Sequence, residues 1–217
     1  MIKAVVFDFD GLIVDTESVW FEAFKDVLHH YGLQLELDHF SKVIGTNDTV
    51  LYSFIQENSK QEVDIAEIKS KAHSIFHEKM GQPFLREGVK EYLETAKTMG
   101  LKIGLASSST RQWVEGYLEA LEIHHYFETI CTRDDVNQVK PDPELYLLAV
   151  KKLGVAPDEV LAFEDSLNGL LAARKAGLYC AIVPNLVTAH LPFEDFHFRL
   201  ESMAHMSLNE LINLLVL

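Results

Sequence analysis

Five short runs of apolar, largely β-branched residues recur along the chain, at 2–7 (IKAVVF), 101–106 (LKIGLA), 127–132 (FETICT), 160–164 (VLAFE) and 179–184 (YCAIVP). Stretches with helical spacing of apolar residues separate them, at 89–99, 112–121, 143–153 and 167–176. A strand that is apolar on both faces has to be covered on both, and strands that alternate with helices run parallel. Right-handed crossovers then predict a doubly wound α/β fold, a Rossmann-like parallel sheet. At 217 residues the chain is long enough to bury such a core, and 48% hydrophobic against 24% charged residues is the balance of a folded chain rather than a disordered one.

One section breaks the alternation. From Thr16 to about Gln82 the pattern is helical, with no run long enough to join the sheet. Val19, Phe21, Phe24, Val27, Leu28 and Tyr31 make one apolar stripe, and Gly32 is placed to end that helix. Residues 49–56 and 62–79 read as two more helices on either side of the polar ENSKQ. The reading is an all-α helical cap domain over 16–81, inserted into an α/β core of 1–15 and 82–217. Its hinges fall near 14–16 and 81–83, an arrangement suited to a lid.

Ligands of open α/β sheets bind at the carboxyl ends of the strands. Those ends read Asp8-Phe9-Asp10-Gly11, Ser107-Ser108-Ser109-Thr110, a segment leading to Lys140-Pro141-Asp142-Pro143-Glu144, and Glu164-Asp165-Ser166. Helix-start grammar accounts for part of this. Ser109 with Gln112 reads as a capping box, Asp142 before Pro143 as a helix start, and Asp165 or Ser166 as the next cap. It accounts for neither Lys140 nor the two acids Asp8 and Asp10, since an unpaired buried carboxylate costs several kcal/mol. Clustered carboxylates suit Mg²⁺, which takes oxygen ligands together with substrate phosphates. A carboxylate can also accept a phosphoryl group as an aspartyl-phosphate. Ser107 and nearby N–H groups as donors, Lys140 as counter-charge and a second acid to protonate a leaving alcohol would complete that chemistry.

Taken in order, the DxDG opening, the strand-end serine, the KPDPE lysine and the EDS acid pair resemble the haloacid dehalogenase-like (HAD) phosphohydrolase superfamily. The likeness is to its subgroup with a helical cap, which includes β-phosphoglucomutase and small sugar phosphatases, and it covers essentially the whole chain. It implies that Asp8 is the nucleophile and a Mg²⁺ ligand, and that Asp10 is the acid/base with its backbone carbonyl facing the metal. Ser107, Ser108 and Lys140 would hold the phosphoryl group, and Asp165 would complete the metal site with Glu164 adjacent. Gly11 would let the chain leave the strand without blocking the phosphate.

The same resemblance separates members of the family. The dehalogenases lack a counterpart of Asp10 and need no magnesium. Phosphonoacetaldehyde hydrolase uses a cap lysine, and the corresponding loop here, Ile44-Gly45-Thr46-Asn47-Asp48, has none. β-Phosphoglucomutase grips its second phosphate with a cap arginine and carries a histidine early in its first cap helix; this chain offers Asn47, Asp48 and Trp20 instead. An aspartate repels the anion that an arginine would bind bidentately, whereas Trp20 presents an apolar face to a sugar ring. The expected function is therefore Mg²⁺-dependent hydrolysis of a small phosphorylated metabolite, with a sugar phosphate as the expected class. A mutase-type phosphotransferase and a non-catalytic phosphometabolite- or partner-binding module are the alternatives.

A formal charge of -14 argues against nucleic-acid binding. No apolar run reaches membrane-spanning length, and the N-terminus lacks a signal peptide's layout. Cys131 and Cys180 sit in strand-like runs and read as buried reduced thiols. The expectation is a monomeric cytoplasmic enzyme. His73 and His77 have the spacing of metal ligands but no evident third partner, so they read as an exposed helix face. His29-His30 and His124-His125 read as helix ends, Trp113 as packing, and the tail from His190 as an edge strand and a helix from Leu208 without chemistry.

Overall fold

A computed structural model describes residues 1–44, 49–59 and 62–215. β1 (Ala4–Phe7) leaves the N-terminus, and α1 (Thr16–His30), α2 (Leu37–Phe40), α3 (Thr49–Asn58) and α4 (Ile65–Met80) precede the next strand. The alternation then resumes with α5 (Val89–Thr98), β2 (Lys102–Ala106), α6 (Arg111–Ala120), β3 (Thr129–Cys131), α7 (Glu144–Leu153), β4 (Val160–Glu164), α8 (Leu167–Lys175) and β5 (Tyr179–Ile182). The short edge strand β6 (Phe198–Arg199) and α9 (Leu208–Leu214) occupy the tail. The strands pair in the order β3-β2-β1-β4-β5-β6, parallel throughout. The winding reverses at β1 and β4, the crevice where such sheets receive ligands.

Side-chain alternation explains why β1 is wholly apolar. Val5 and Phe7 face a layer containing Leu93 of α5, Leu118 of α6 and Leu211 of α9. Ala4 and Val6 face Leu145 and Tyr146 of α7 and Leu170 of α8 on the other side. Each large apolar side chain buried this way contributes roughly 1.5–3 kcal/mol, so neither face of β1 tolerates a polar residue.

The helical section has its own core. Phe21, Phe24, Val27 and Leu28 of α1 meet Ile55 of α3 and Ile68 and Ala72 of α4. Asp15 caps α1 by accepting from the Ser18 N–H, and Gly32 (φ 69°) closes the other end where Leu33 N reaches back to Leu28 O. The single turn of α2 is too short to leave a periodic signal in the sequence. Cys131 and Cys180 are buried and unbridged. No helix among the described residues is long and apolar enough to cross a membrane.

Candidate active site

Asp8 is the first residue beyond β1, and its N–H still bonds to Phe163 O of β4 at 3.0 Å. The fully buried Lys140 ammonium donates to Asp8 Oδ1 at 2.5 Å and to Glu164 Oε1 at 2.6 Å. Tyr146 donates to the same Glu164 oxygen at 2.5 Å, and Ser166 Oγ donates to Oε2 at 3.3 Å. Both Glu164 oxygens are thereby engaged, and the residue holds the lysine against Asp8. Burial pushes the Asp8 carboxyl up, to about 8; Lys140 pulls it down and Glu164 adds to the rise. Burial alone would lower Lys140, but the two carboxylates override it and raise the ammonium instead.

Asp165 lies one residue beyond β4. Its Oδ2 accepts from Asn185 Nδ2 at 2.7 Å, while its Oδ1 is buried without a hydrogen-bond partner among the described residues. Asn185 is locked in turn, its own Oδ1 accepting from Val187 N, Thr188 N and Thr188 Oγ1. Ser166 rather than Asp165 caps α8, accepting from Gly169 N, which leaves the aspartate to the cluster. Carboxylate oxygens of Asp8, Glu164 and Asp165 lie within 4.8 Å of one another. Burial, then the charges of Asp8 and Glu164, push Asp165 well up. Acids this close and this dry call for a cation, and an all-oxygen donor set with a free acceptor on Asp165 suits a hard divalent ion. Because Glu164 is spent on Lys140, Tyr146 and Ser166, Asp8 and Asp165 are the acids of the three that could hold such an ion.

Gly11 serves this side of the site. With φ at 76°, a Cβ there would lie 2.2 Å from Asp165 Oδ2 and 2.6 Å from Asn185 Nδ2. A side chain at Gly11 would therefore crowd Asp165, a constraint that the sequence alone did not show.

Asp10 opens into a cleft of about 240 Å³. Asp8, Ser107 and Ser108 form its core side; Glu17, Trp20, Tyr52, Lys69 and His73 form its helical side. Asp10 Oδ1 accepts from Thr16 Oγ1 at 2.9 Å and from Trp113 Nε1 at 2.8 Å. Its Oδ2 accepts from Ser109 Oγ at 2.6 Å and, more distantly, from Ser107 Oγ at 3.5 Å. Ser107 is itself held by the Ser109 N–H at 3.0 Å.

Three expectations are corrected here. Thr110, not Ser109, caps α6 by accepting from Trp113 N, which frees the Ser109 hydroxyl for Asp10. Trp113 is more than packing, since its indole N–H is spent on an acid. His73 is half-buried, edge-on to Trp20 with ring centroids 4.7 Å apart, while His77 is exposed. Trp20 stacks on Phe76 at 4.1 Å. Arg133, after β3, adds a cation to the cleft that the sequence reading did not single out. Asn47 and Asp48, on which the comparison with the mutase partly turned, lie with Gly45 and Thr46 outside the described residues.

A parallel sheet presenting acids, hydroxyls and a buried lysine at one edge, beneath a helical roof, defines an enzyme built to process phosphate esters. Residues 5–183 match the model of the haloacid dehalogenase-like hydrolases, and the chain belongs to that family as a phosphohydrolase of its β-phosphoglucomutase-like subgroup. It is 48% identical to YhcW of Bacillus subtilis (strain 168) over 214 residues, 98% of this chain and 97% of that protein. A phosphorylated carbohydrates phosphatase of Thermotoga maritima is 33% identical over 180 residues, 81% of this chain and 82% of that one. The crystal structure of CbbY from Rhodobacter sphaeroides in complex with phosphate is similar with a TM-score of 0.76 at 29% identity, covering 94% of this chain and 96% of that one.

Proposed function

We propose that the protein is a Mg²⁺-dependent phosphatase of a small sugar phosphate, working through an aspartyl-phosphate on Asp8. The observation that carries the reading is the unlike treatment of two neighbouring acids: Asp8 is held by an ammonium, Asp10 by neutral donors. An Asp8 oxygen attacks phosphorus as the bond from phosphorus to the ester oxygen breaks, and protonated Asp10 gives its proton to that departing oxygen. The Asp10 carboxylate then takes a proton from a water that attacks phosphorus, releasing Asp8 and inorganic phosphate. Lys140 and the Ser107 hydroxyl offset and orient the phosphoryl oxygens. Asp8 and Asp165 would hold a magnesium ion, which would supply charge that offsets the acid cluster and attracts the phosphate.

The helical section over 16–81 acts in this reading as a cap on the core of 1–15 and 82–217, with Trp20 offering its ring to the sugar. Kinship with a phosphatase of phosphorylated carbohydrates supports the substrate class. The test is a panel of hexose, pentose and hexitol phosphates, with and without Mg²⁺, scored for both phosphate release and isomerisation. Metal-dependent release that is abolished in Asp8→Asn is expected. Undiminished release in that variant, or isomerisation without release, would contradict the reading.

A further inference from the structure

We propose that Trp113 is a positioning residue for Asp10, its indole N–H fixing which carboxyl oxygen carries the proton delivered to the leaving group. The proposal rests on the reading of Asp10 as the acid/base. Among the described residues four donors surround Asp10, and three of them are hydroxyls, from Thr16, Ser107 and Ser109. A hydroxyl can reverse from donor to acceptor by rotating, whereas an indole N–H can only donate. Oδ1, bonded to Trp113 at 2.8 Å, is therefore kept as an acceptor whether or not Asp10 carries a proton. The proton of the neutral acid then belongs on Oδ2, the oxygen facing Ser107 and Ser109, and Ser107 is the hydroxyl that the proposed function assigns to the phosphoryl group.

The ring is well placed for this task because it is held from several sides. The Trp113 backbone N–H is fixed on the Thr110 cap, and the ring lies 4.9 Å from Tyr117, 5.5 Å from Phe76 and 6.2 Å from Trp20. Phe76 and Trp20 come from the helical section, so the donor is braced by both parts of the molecule. A hydroxyl on a freely turning side chain could supply the hydrogen bond but not the fixed polarity.

The experiment compares leaving groups. p-Nitrophenolate departs without a proton, whereas the alkoxides of glucose 6-phosphate, fructose 1-phosphate and sorbitol 6-phosphate need one. In Trp113→Phe, kcat/KM on the sugar phosphates, which reports the steps up to departure of the leaving group, is expected to fall about 10–100-fold, the worth of one hydrogen bond to a charged group. On p-nitrophenyl phosphate kcat/KM should stay within about threefold, since that departure needs no proton from Asp10; the later attack of water, common to all substrates, does not enter kcat/KM. A sulfur isostere of tryptophan, with the ring N–H replaced by S and placed at position 113 alone, keeps the packing and should reproduce the split. Equal losses on both substrate types, or no loss on either, would overturn the proposal. Asp10→Asn separates the two levels. A split in Asp10→Asn without one in Trp113→Phe defeats the positioning role alone, and no split in Asp10→Asn defeats the acid/base reading and the proposal with it.

Discussion

Replacing Lys140 with methionine probes the most heavily buried charge arrangement in the protein. The lysine side chain is 0% exposed and contacts Asp8 at 2.5 Å and Glu164 at 2.6 Å. Methionine matches much of the aliphatic stem, so the cavity contribution is small. What is lost is the ammonium, which strands two carboxylates in a dry site; breaking a buried pair in this way costs about 3–5 kcal/mol. The loss has a definite pH dependence. Asp8 is raised in the folded protein from 3.8 to about 8 even with Lys140 present, and removing the lysine raises it further. A carboxyl that binds its proton more tightly when folded contributes stability that is full below its unfolded value and is lost as pH rises through the folded one. Wild-type Asp8 sheds its proton near pH 8 and then stops losing stability, whereas the variant's Asp8 keeps its proton and goes on losing it. Urea unfolding without divalent ions should therefore show Lys140→Met destabilised by about 3–5 kcal/mol near pH 9, with a smaller gap near pH 7. Adding Glu164→Gln should recover a substantial part of the loss by removing one stranded charge. A loss below about 1 kcal/mol near pH 9, or one equal at pH 7 and pH 9, would refute the argument, since ordinary surface substitutions cost no more than that.

Tyr146→Phe removes a 2.5 Å hydrogen bond to Glu164 and should cost about 1.5–3 kcal/mol in urea unfolding. Asn185→Ala releases Asp165 Oδ2 and should weaken Mg²⁺ binding, measured by calorimetry, about 10–100-fold, as expected when a group that orients a metal ligand is lost. Gly11→Ala places a methyl group 2.2 Å from Asp165 Oδ2 at positive φ, which should lower stability by about 1–3 kcal/mol and weaken Mg²⁺ binding as well.

The parallel sheet was legible because buried strands write themselves as continuous apolar runs, and Asp8, Ser107 and Asp165 stood out because each falls at the end of such a run; Lys140, well past the third run, stood out because helix-start grammar leaves it unexplained. The surroundings of Asp10 were not. Its bond to Trp113 spans 103 positions and the one to Ser109 spans 99, distances over which no local pattern survives. Ser109 and Thr110 are equivalent as candidate caps in one dimension; only the folded chain turns one hydroxyl to the helix and the other to the acid. Gly11 was expected to let the chain leave the strand without blocking the phosphate, but its crowding by Asp165 could not be foreseen because that residue lies far along the chain. Asn185 and Tyr146 carried no signal because an amide and a phenol near apolar runs read as ordinary packing.

The central claim is that phosphate passes through Asp8. Quenching the enzyme during turnover of a sugar phosphate in Mg²⁺ and treating it with borohydride reduces an acyl phosphate to an alcohol. Peptide mass spectrometry should then find homoserine at position 8, only in samples given substrate. Turnover with no homoserine at that position, or with the reduced residue elsewhere, would contradict the account.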